Sequence, residues 1–255
     1  MLKKMKKIII LNTVLLLGLV GFLTSCESDE SADKTQITYF VKFELNGNAV
    51  TLVPVNSNYV DEGVIATEGD EDVTGSVQVT SNVNTAKKGL YTVTYSATNA
   101  DGFPNTVSRQ VIVYDPNVTT DIAGDYSVDL SYSNRLQLSN NAVINYSDMK
   151  GLYGAGDFSS FAVTLTTIAP GIFNVSDLFG GYYVEGRAYD ARYNMVGIIS
   201  LNADNTLSLL TSKVAGWGDG LDALRNATYD PATGDLQWAA RYTGTYDFNV
   251  KLIKK

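Results

Sequence analysis

Three stretches of strict alternation dominate this sequence. In Lys88–Ala97 the rings and branches of Tyr91, Val93 and Tyr95 interleave with Thr92, Thr94 and Ser96, and Gly124–Tyr132 and Gly244–Leu252 keep the same period of two. That period sends alternate side chains to opposite faces of a strand, and hardly any segment keeps the 3.6-residue period of a helix. The 22 glycines and 16 tyrosines, with only five prolines, agree with strands joined by turns. The expected class is all-β.

The first residues follow another logic. Lys3, Lys4, Lys6 and Lys7 precede an apolar run from Ile8 to Val20, and Leu23-Thr24-Ser25-Cys26 closes it. This pattern predicts a lipoprotein signal peptide over residues 1–25, with Cys26 as the lipidated first residue of the mature chain. The alternative is an uncleaved anchor, but the run is shorter than the ~20 apolar residues a membrane-spanning helix needs. Glu27, Asp29, Glu30 and Asp33 then make an acidic tether over 26–36, too polar to fold alone. An acidic run directly after the lipidated cysteine resembles the export signal of Bacteroidetes surface lipoproteins. The resemblance implies an outer-membrane, lipid-anchored protein facing the extracellular side.

Cleavage would remove four of the 19 basic residues, leaving 15 against 27 acidic, a formal net charge of −12. Such a charge repels nucleic acid and anionic lipid surfaces, so the membrane is expected to be reached through the lipid anchor only. The remaining residues, about 230, suffice for two modest domains. With no cysteine left to pair, packing alone must hold them.

The first domain is expected over 37–115. Strands start near Phe40 and run over Val50–Val55, Val73–Val79, Lys88–Ala97 and Thr106–Tyr114, with turns at Asn46-Gly47-Asn48, Asn82–Asn84 and Asn99–Gly102. Short strands at this spacing predict a β-sandwich. The series Tyr59-Val60-Asp61-Glu62-Gly63-Val64, Asp72-Val73-Thr74-Gly75, Gly89–Ala97, Asp101-Gly102 and Arg109–Val113 resembles the bacterial immunoglobulin-like repeats of surface-protein stalks, which implies a spacer or binding module. The acidic loop holding Glu68, Asp70, Glu71 and Asp72 matches no EF-hand spacing and reads as a solvated loop. Asp115-Pro116-Asn117 is the hinge, and its proline stiffens the connection to the second domain.

The second domain is expected over 120–255. Strands are expected near Phe161–Ile168, Gly171–Val175, Tyr182–Tyr189, Val196–Leu201, Thr206–Leu210 and Leu236–Tyr242, between the two alternating ends. About eight antiparallel strands of this kind can close into a lipocalin-like β-barrel or form a strongly curved sheet. The segments Pro170–Tyr182, Asn202–Leu209 and Tyr229–Trp238 resemble the C-terminal domains of Bacteroidetes outer-membrane lipoproteins encoded with polysaccharide-utilisation systems. That resemblance implies a setting beside an outer-membrane importer and companion surface lipoproteins.

Chemistry is limited by what the chain lacks. Without histidine, and with its one cysteine assigned to lipid, it has no Ser-His-Asp or Cys-His machinery and no ordinary zinc ligands, so no catalytic residue, cofactor or metal is assigned. Carboxylates could hydrolyse glycosides in pairs, but no motif singles out a pair. The expectation is a protein that is not an enzyme. Aromatic side chains are the better lead, because a sugar's C–H face stacks on a ring while its hydroxyls bond planar polar groups. If Tyr182–Tyr189 is a strand, one face carries Tyr183, Glu185, Arg187 and Tyr189, which makes either an exposed sheet surface or a glycan platform. Trp217 stands between Gly216 and Gly218, where neither neighbour can cover it, with Asp219 beside it as a hydrogen-bonding companion. Trp238 is in phase with Leu236, Ala240 and Tyr242 and belongs to the core. The candidate glycan-binding residues are therefore Trp217, Asp219, Tyr183, Arg187 and Tyr189. The expected partner is a polysaccharide or oligosaccharide, and the alternative is a structural or adhesive scaffold for protein partners.

Overall fold

The computed structural model describes residues 37–255. The expected signal peptide, Cys26 and the acidic tether lie outside the described residues.

Seven strands make the N-terminal sandwich: β1 (Val41–Leu45), β2 (Val50–Pro54), β3 (Val64–Glu68), β4 (Glu71–Asp72), β5 (Gln78–Ser81), β6 (Gly89–Thr98) and β7 (Pro104–Tyr114). They form one sheet of order β1-β3-β4 and another of order β2-β7-β6-β5, in which β2 runs parallel to β7. The alternation legible in β6 points Val93, Tyr95 and Ala97 into the core, where Val93 and Tyr95 meet Val53, Val64, Val111 and Val113, and Ala97 meets Val41 and Ala66. The strand expected over Val73–Val79 forms only from Gln78. Asp72 accepts from the Thr74 amide, and a 3₁₀ turn over Thr74–Ser76 interrupts it.

Arg109 is the charged exception on β7, with its side chain almost wholly enclosed. Its Nη1 donates to Asp61 at 2.8 Å, its Nε to the Asn48 carbonyl at 3.1 Å, and its Nη2 to the carbonyls of Asn46 and Gly63. The hydroxyls of Tyr95 and Tyr59 also donate to the Asp61 carboxylate. Burial pushes the Asp61 carboxyl up, but those hydroxyls and the Arg109 charge outweigh it and hold it below the usual carboxylate value. One guanidinium thus ties two loops to a central strand.

The C-terminal part adds β8 (Gly124–Val128), β9 (Asn134–Gln137), β10 (Ala142–Asn145), the short helix α1 (Met149–Tyr153), β11 (Val163–Ala169), β12 (Ile172–Val175), β13 (Met195–Leu201), β14 (Leu207–Val214), β15 (Ala223–Tyr229), β16 (Leu236–Tyr242) and β17 (Tyr246–Lys254). All ten strands belong to one antiparallel sheet. Strand β17 is its spine: one edge pairs with β16, and the other pairs first with β9 and then with β8. The two similar ends of the domain therefore do lie side by side, Leu252 opposite Val128.

From β8 the sheet continues through β11, β12 and β13 to β14. It curls until β14 and β15 approach, but they are joined only by the Thr206–Thr228 bridge and a hydrogen bond from the Tyr229 amide to the Asn205 carbonyl at 2.8 Å. The register of β15 against β16 shifts between Arg225 and Thr228, with Asn226 at φ 48°, and this bulge turns the last strand away from a full ladder. Of the two expected architectures, a strongly curved, half-barrel sheet is the one that forms.

Its concave side is filled. Tyr126, Phe173, Phe179, Tyr182, Trp238 and Phe248 pack there, Trp238 as its phase in β16 predicts. The Tyr182–Tyr189 strand does not exist: this segment is a compact turn that enters the concavity between β12 and β13. Gly180 and Gly181 adopt φ 60° and 81°, and a Cβ on either would overlap Val250 or the rings of Phe158 and Phe161. Glycine is required to start that turn.

The two parts meet through an apolar seam in which Ile112, Leu90 and Tyr114 of the sandwich pack on Ile168, Ala169, Ile172, Ile198 and Leu210. Lys88 Nζ donates across it to the Leu201 carbonyl at 3.3 Å. The connection is held by packing as well as by Pro116.

Replacing Arg109 by Met should cost the sandwich about 3–5 kcal/mol, since it leaves the carbonyls and Asp61 without their shared donor. Hydrogen exchange at the β6 and β7 amides reads this directly. Unchanged protection would show that the ion pair does not hold the sandwich.

Candidate functional site

The inserted turn is built on one carboxylate. Asp177, 1% exposed, accepts from the amides of Phe179 (3.0 Å), Gly181 (2.8 Å) and Met195 (3.0 Å). Those bonds fix both the beginning of the turn and its return into β13. Burial nevertheless pushes the Asp177 carboxyl up to about 6, against the three N–H groups that favour its charged form. Two further bonds anchor the turn to the sheet. The Trp238 indole donates to the Leu178 carbonyl at 2.8 Å, and the Tyr146 hydroxyl donates to the Phe179 carbonyl at 2.5 Å.

From this anchor the chain delivers its rings to one end of the sheet. The Tyr183 carbonyl accepts from the amides of both Arg187 and Tyr189, so the turn wraps on itself. This brings the rings of Tyr183 and Tyr189 to 5.6 Å and the Arg187 guanidinium to 5.7 Å from the Tyr189 ring. The residues that a strand would have aligned by alternation are gathered by a turn instead. Glu185, from the same expected face, has no side-chain partner among the described residues.

Trp217 arrives from the loop that joins β14 to β15, the two strands that fail to close. The amide of Gly218 donates to the Val214 carbonyl at 2.8 Å and Val214 returns a bond to the Asp219 carbonyl at 2.8 Å, a tight turn that Gly218 permits at φ 86°. Gly216 matters for a different reason: a Cβ there would lie 2.5 Å from the Tyr193 ring. Its absence lets Tyr193 reach 4.9 Å from Trp217, while Tyr183 lies edge-on at 4.8 Å and Tyr242 stacks at 5.9 Å. Trp217 remains 42% exposed and Tyr189 38%, whereas Tyr183 is 9% exposed and serves as backing.

Asp219 receives the Tyr242 hydroxyl on both carboxylate oxygens, at 3.0 and 3.1 Å, and so fixes the loop from below. Burial and this acceptor raise the Tyr242 phenol well above its ordinary value, keeping it a donor. Asp219 is itself exposed and keeps room for a second donor. Thus Trp217, Asp219, Tyr183, Arg187 and Tyr189 share one neighbourhood. Sequence reasoning missed Tyr193, which packs between Tyr189 (5.1 Å) and Trp217, and Tyr153, the last residue of α1, whose ring lies 4.1 Å under Arg187. The density of tyrosines over 182–193 was the available signal for the first; nothing marked the second.

The arrangement can do one kind of chemistry well. It offers ring faces held rigidly from behind, with carboxylates and guanidiniums at their rim. Among the described residues no group of three acidic, histidine or cysteine side chains stands close enough to hold a metal ion. A separate polar pocket of about 250 Å³, near Tyr229, Asp235 and Lys251, lies elsewhere on the sheet.

The two parts of the chain match two different families. The bacterial surface protein Ig-like domain family matches residues 43–113, and a family defined by its C-terminal domain matches residues 115–254, more than half of the chain. The chain belongs to that C-terminal-domain family. The lipoprotein BT2262 from Bacteroides thetaiotaomicron is 34% identical over 84% of this chain and 100% of its own, with a TM-score of 0.44. The CBM51-2 and INT domains of Clostridium perfringens ZmpB, solved in complex with GlcNAc, are 22% identical over 52% of this chain and 31% of theirs, with a TM-score of 0.26. A likeness that slight carries no weight for fold or ligand. A comparison with curated proteins finds no match. Among the described residues no helix is long and apolar enough to cross a membrane.

The Asp177 carboxyl gives a pH prediction with a definite sign. Its folded value, about 6, lies above the unfolded value near 3.9, so the folded state holds the proton more tightly and its contribution to stability falls as pH rises from about 4 to about 6. The stability of the protein relative to Asp177→Asn should therefore fall by roughly 2–3 kcal/mol between pH 4 and pH 7 in urea titrations. A difference that does not change with pH would mean that the carboxylate stays ionised throughout.

Proposed function

We propose that this protein is a cell-surface lipoprotein that holds a glycan, or supports a complex that does, and that it is not an enzyme. The observation that carries the reading is the exposed ring surface of Trp217 and Tyr189, which is immobilised by Tyr193, Tyr183, Tyr242 and the Asp219 carboxylate. A solvent-facing tryptophan costs hydrophobic free energy that only a partner recovers, and flat ring faces with polar rims suit the alternating C–H and O–H surfaces of a saccharide. Support for the setting comes from the relationship to a lipoprotein and from the surface Ig-like match. We place the anchor at Cys26, on the outer face of the outer membrane, beside an importer and companion lipoproteins.

Binding is tested with the full-length chain in detergent micelles against an array of plant, host and microbial polysaccharides, with and without calcium. Tyr183 is too buried to remove cleanly, so the informative substitution is Trp217→Ala with Tyr189→Ala. It should weaken binding of the array's hit by about tenfold or more while leaving the thermal midpoint nearly unchanged. Undiminished binding removes the site. Silence across the array from folded protein would turn the reading to its rival, a scaffold for protein partners. The anchor is tested separately: Cys26→Ser should abolish incorporation of labelled fatty acid, and retained label would place the lipid elsewhere.

A further inference from the structure

The chain has six arginines. Four are bound to aspartates: Arg109 to Asp61, Arg192 to Asp190, and both Arg225 and Arg241 to Asp247. The other two, Arg135 on β9 and Arg187 in the inserted turn, have no carboxylate partner among the described residues. They are distant in sequence yet flank the same ring. The Arg135 guanidinium lies 5.5 Å from the Tyr182 centroid and 4.6 Å from that of Tyr246. That of Arg187 stacks on Tyr153 at 4.1 Å and stands by the Tyr182 hydroxyl.

Two buried polar atoms in this cluster are also unsatisfied. The Tyr182 hydroxyl, on a residue with no exposed surface, has no hydrogen-bond partner of good geometry, although Tyr153 and Arg187 stand close to it, and neither has Arg135 Nε. Orphaned polar groups in a folded interior call for an explanation, because each costs its desolvation without return. Here they lie together, between two unpaired cations, in a protein whose formal net charge is −8. Carboxylates are available in the neighbourhood, but Asp190 is held by Arg192, Asp247 by Arg225 and Arg241, and Glu185 pairs with neither arginine.

Stacking on a ring uses the flat face of a guanidinium and leaves its edge, with the N–H fork, free to receive a planar anion. We infer that the saccharide held on the Trp217 surface is an acidic one, whose carboxylate or sulfate is received by Arg187, with the charge of the more buried Arg135 behind it. The inference rests on the glycan reading above and narrows its ligand. The rings run continuously from one feature to the other: Trp217 contacts Tyr183, Tyr183 contacts Tyr189 and Tyr182, and Arg187 overlies Tyr189. The charges of both arginines also reach the phenols of Tyr182 and Tyr183, the two adjacent residues at the centre of the cluster.

The test uses the full-length chain in detergent with paired probes. Oligogalacturonate carries carboxylates and chondroitin sulfate oligosaccharides carry both carboxylate and sulfate; methyl-esterified oligogalacturonate and galactan are their neutral counterparts. An acidic probe should bind at least about tenfold more tightly than its neutral partner and weaken as salt is raised. Arg187→Gln should lower that affinity by about tenfold, with partial recovery in Arg187→Lys. Because Arg187 is half-exposed, its variant decides the matter if Arg135→Gln disturbs folding. Equal binding of neutral and acidic probes, or acidic binding indifferent to Arg187→Gln, overturns the inference and leaves the glycan reading intact. No binding by any probe, or by the wider array, overturns both.

Discussion

At the centre of the C-terminal half, the carboxylate of Asp177 takes three backbone N–H groups in a place closed to water. A buried carboxylate is expensive, and its retention makes sense only if the backbone it organises could not be held more cheaply. The turn from Asp177 to Tyr189 crosses the interior of a sheet, where its amides have no ladder to join. Two of its amides, and that of Met195 where the chain re-enters the sheet, end on Asp177, and two of the turn's carbonyls end on Trp238 and Tyr146. This accounting lets an irregular segment lie in a core without orphaning its main chain. Everything at the open end of the sheet depends on it, since Tyr182, Tyr183, Arg187 and Tyr189 all issue from the segment that Asp177 fixes.

The sheet supplies the complementary constraint. Its end strands β14 and β15 meet at a single bridge near the Ig-like domain, and at the opposite end the loop carrying Trp217 spans the remaining gap. Had the ladder closed fully, that loop would have been a tight hairpin with no room for a tryptophan and three glycines. The bulge at Asn226 is thus tied to the site at a distance: by turning β15 aside it leaves the opening across which Trp217 stands. Tyr193 and Tyr242 then fill the space behind the indole, so the exposed face is held by buried contacts rather than by its own loop.

Strands with one buried face were legible because their pattern and their environment agree. In β6, β8, β16 and β17 apolar residues recur at every second position and the structure buries them, with Ala239 and the paired Asp247 buried out of phase. Tyr182–Tyr189 misled for a physical reason: its rings and charges are arranged by Asp177 and by two glycines with positive φ, and none of these lies within the segment. Strands β9 and β10 have only four residues each, and β15 is broken by its bulge, so none offers a readable period. At the site, Trp217 was legible because flanking glycines cannot cover a ring. Tyr193 was not, since its place depends on the missing Cβ of Gly216, which is visible only once the two loops have been brought together.

The Ig-like domain enters this logic through the apolar seam. The seam fixes the ring surface relative to the sandwich, and a surface held in one orientation loses less rotational freedom when a partner binds than one on a flexible tether. The seam uses Ile112, on the same strand as Arg109, so the strand that holds the sandwich together also carries the contact with the curled sheet. Loosening the ion pair would therefore be felt beyond the sandwich. Trp217 follows β14 at the end opposite the Thr206–Thr228 bridge and stays 42% exposed. Rigidity at one end and exposure at the other both follow from where one sheet closes and where it does not.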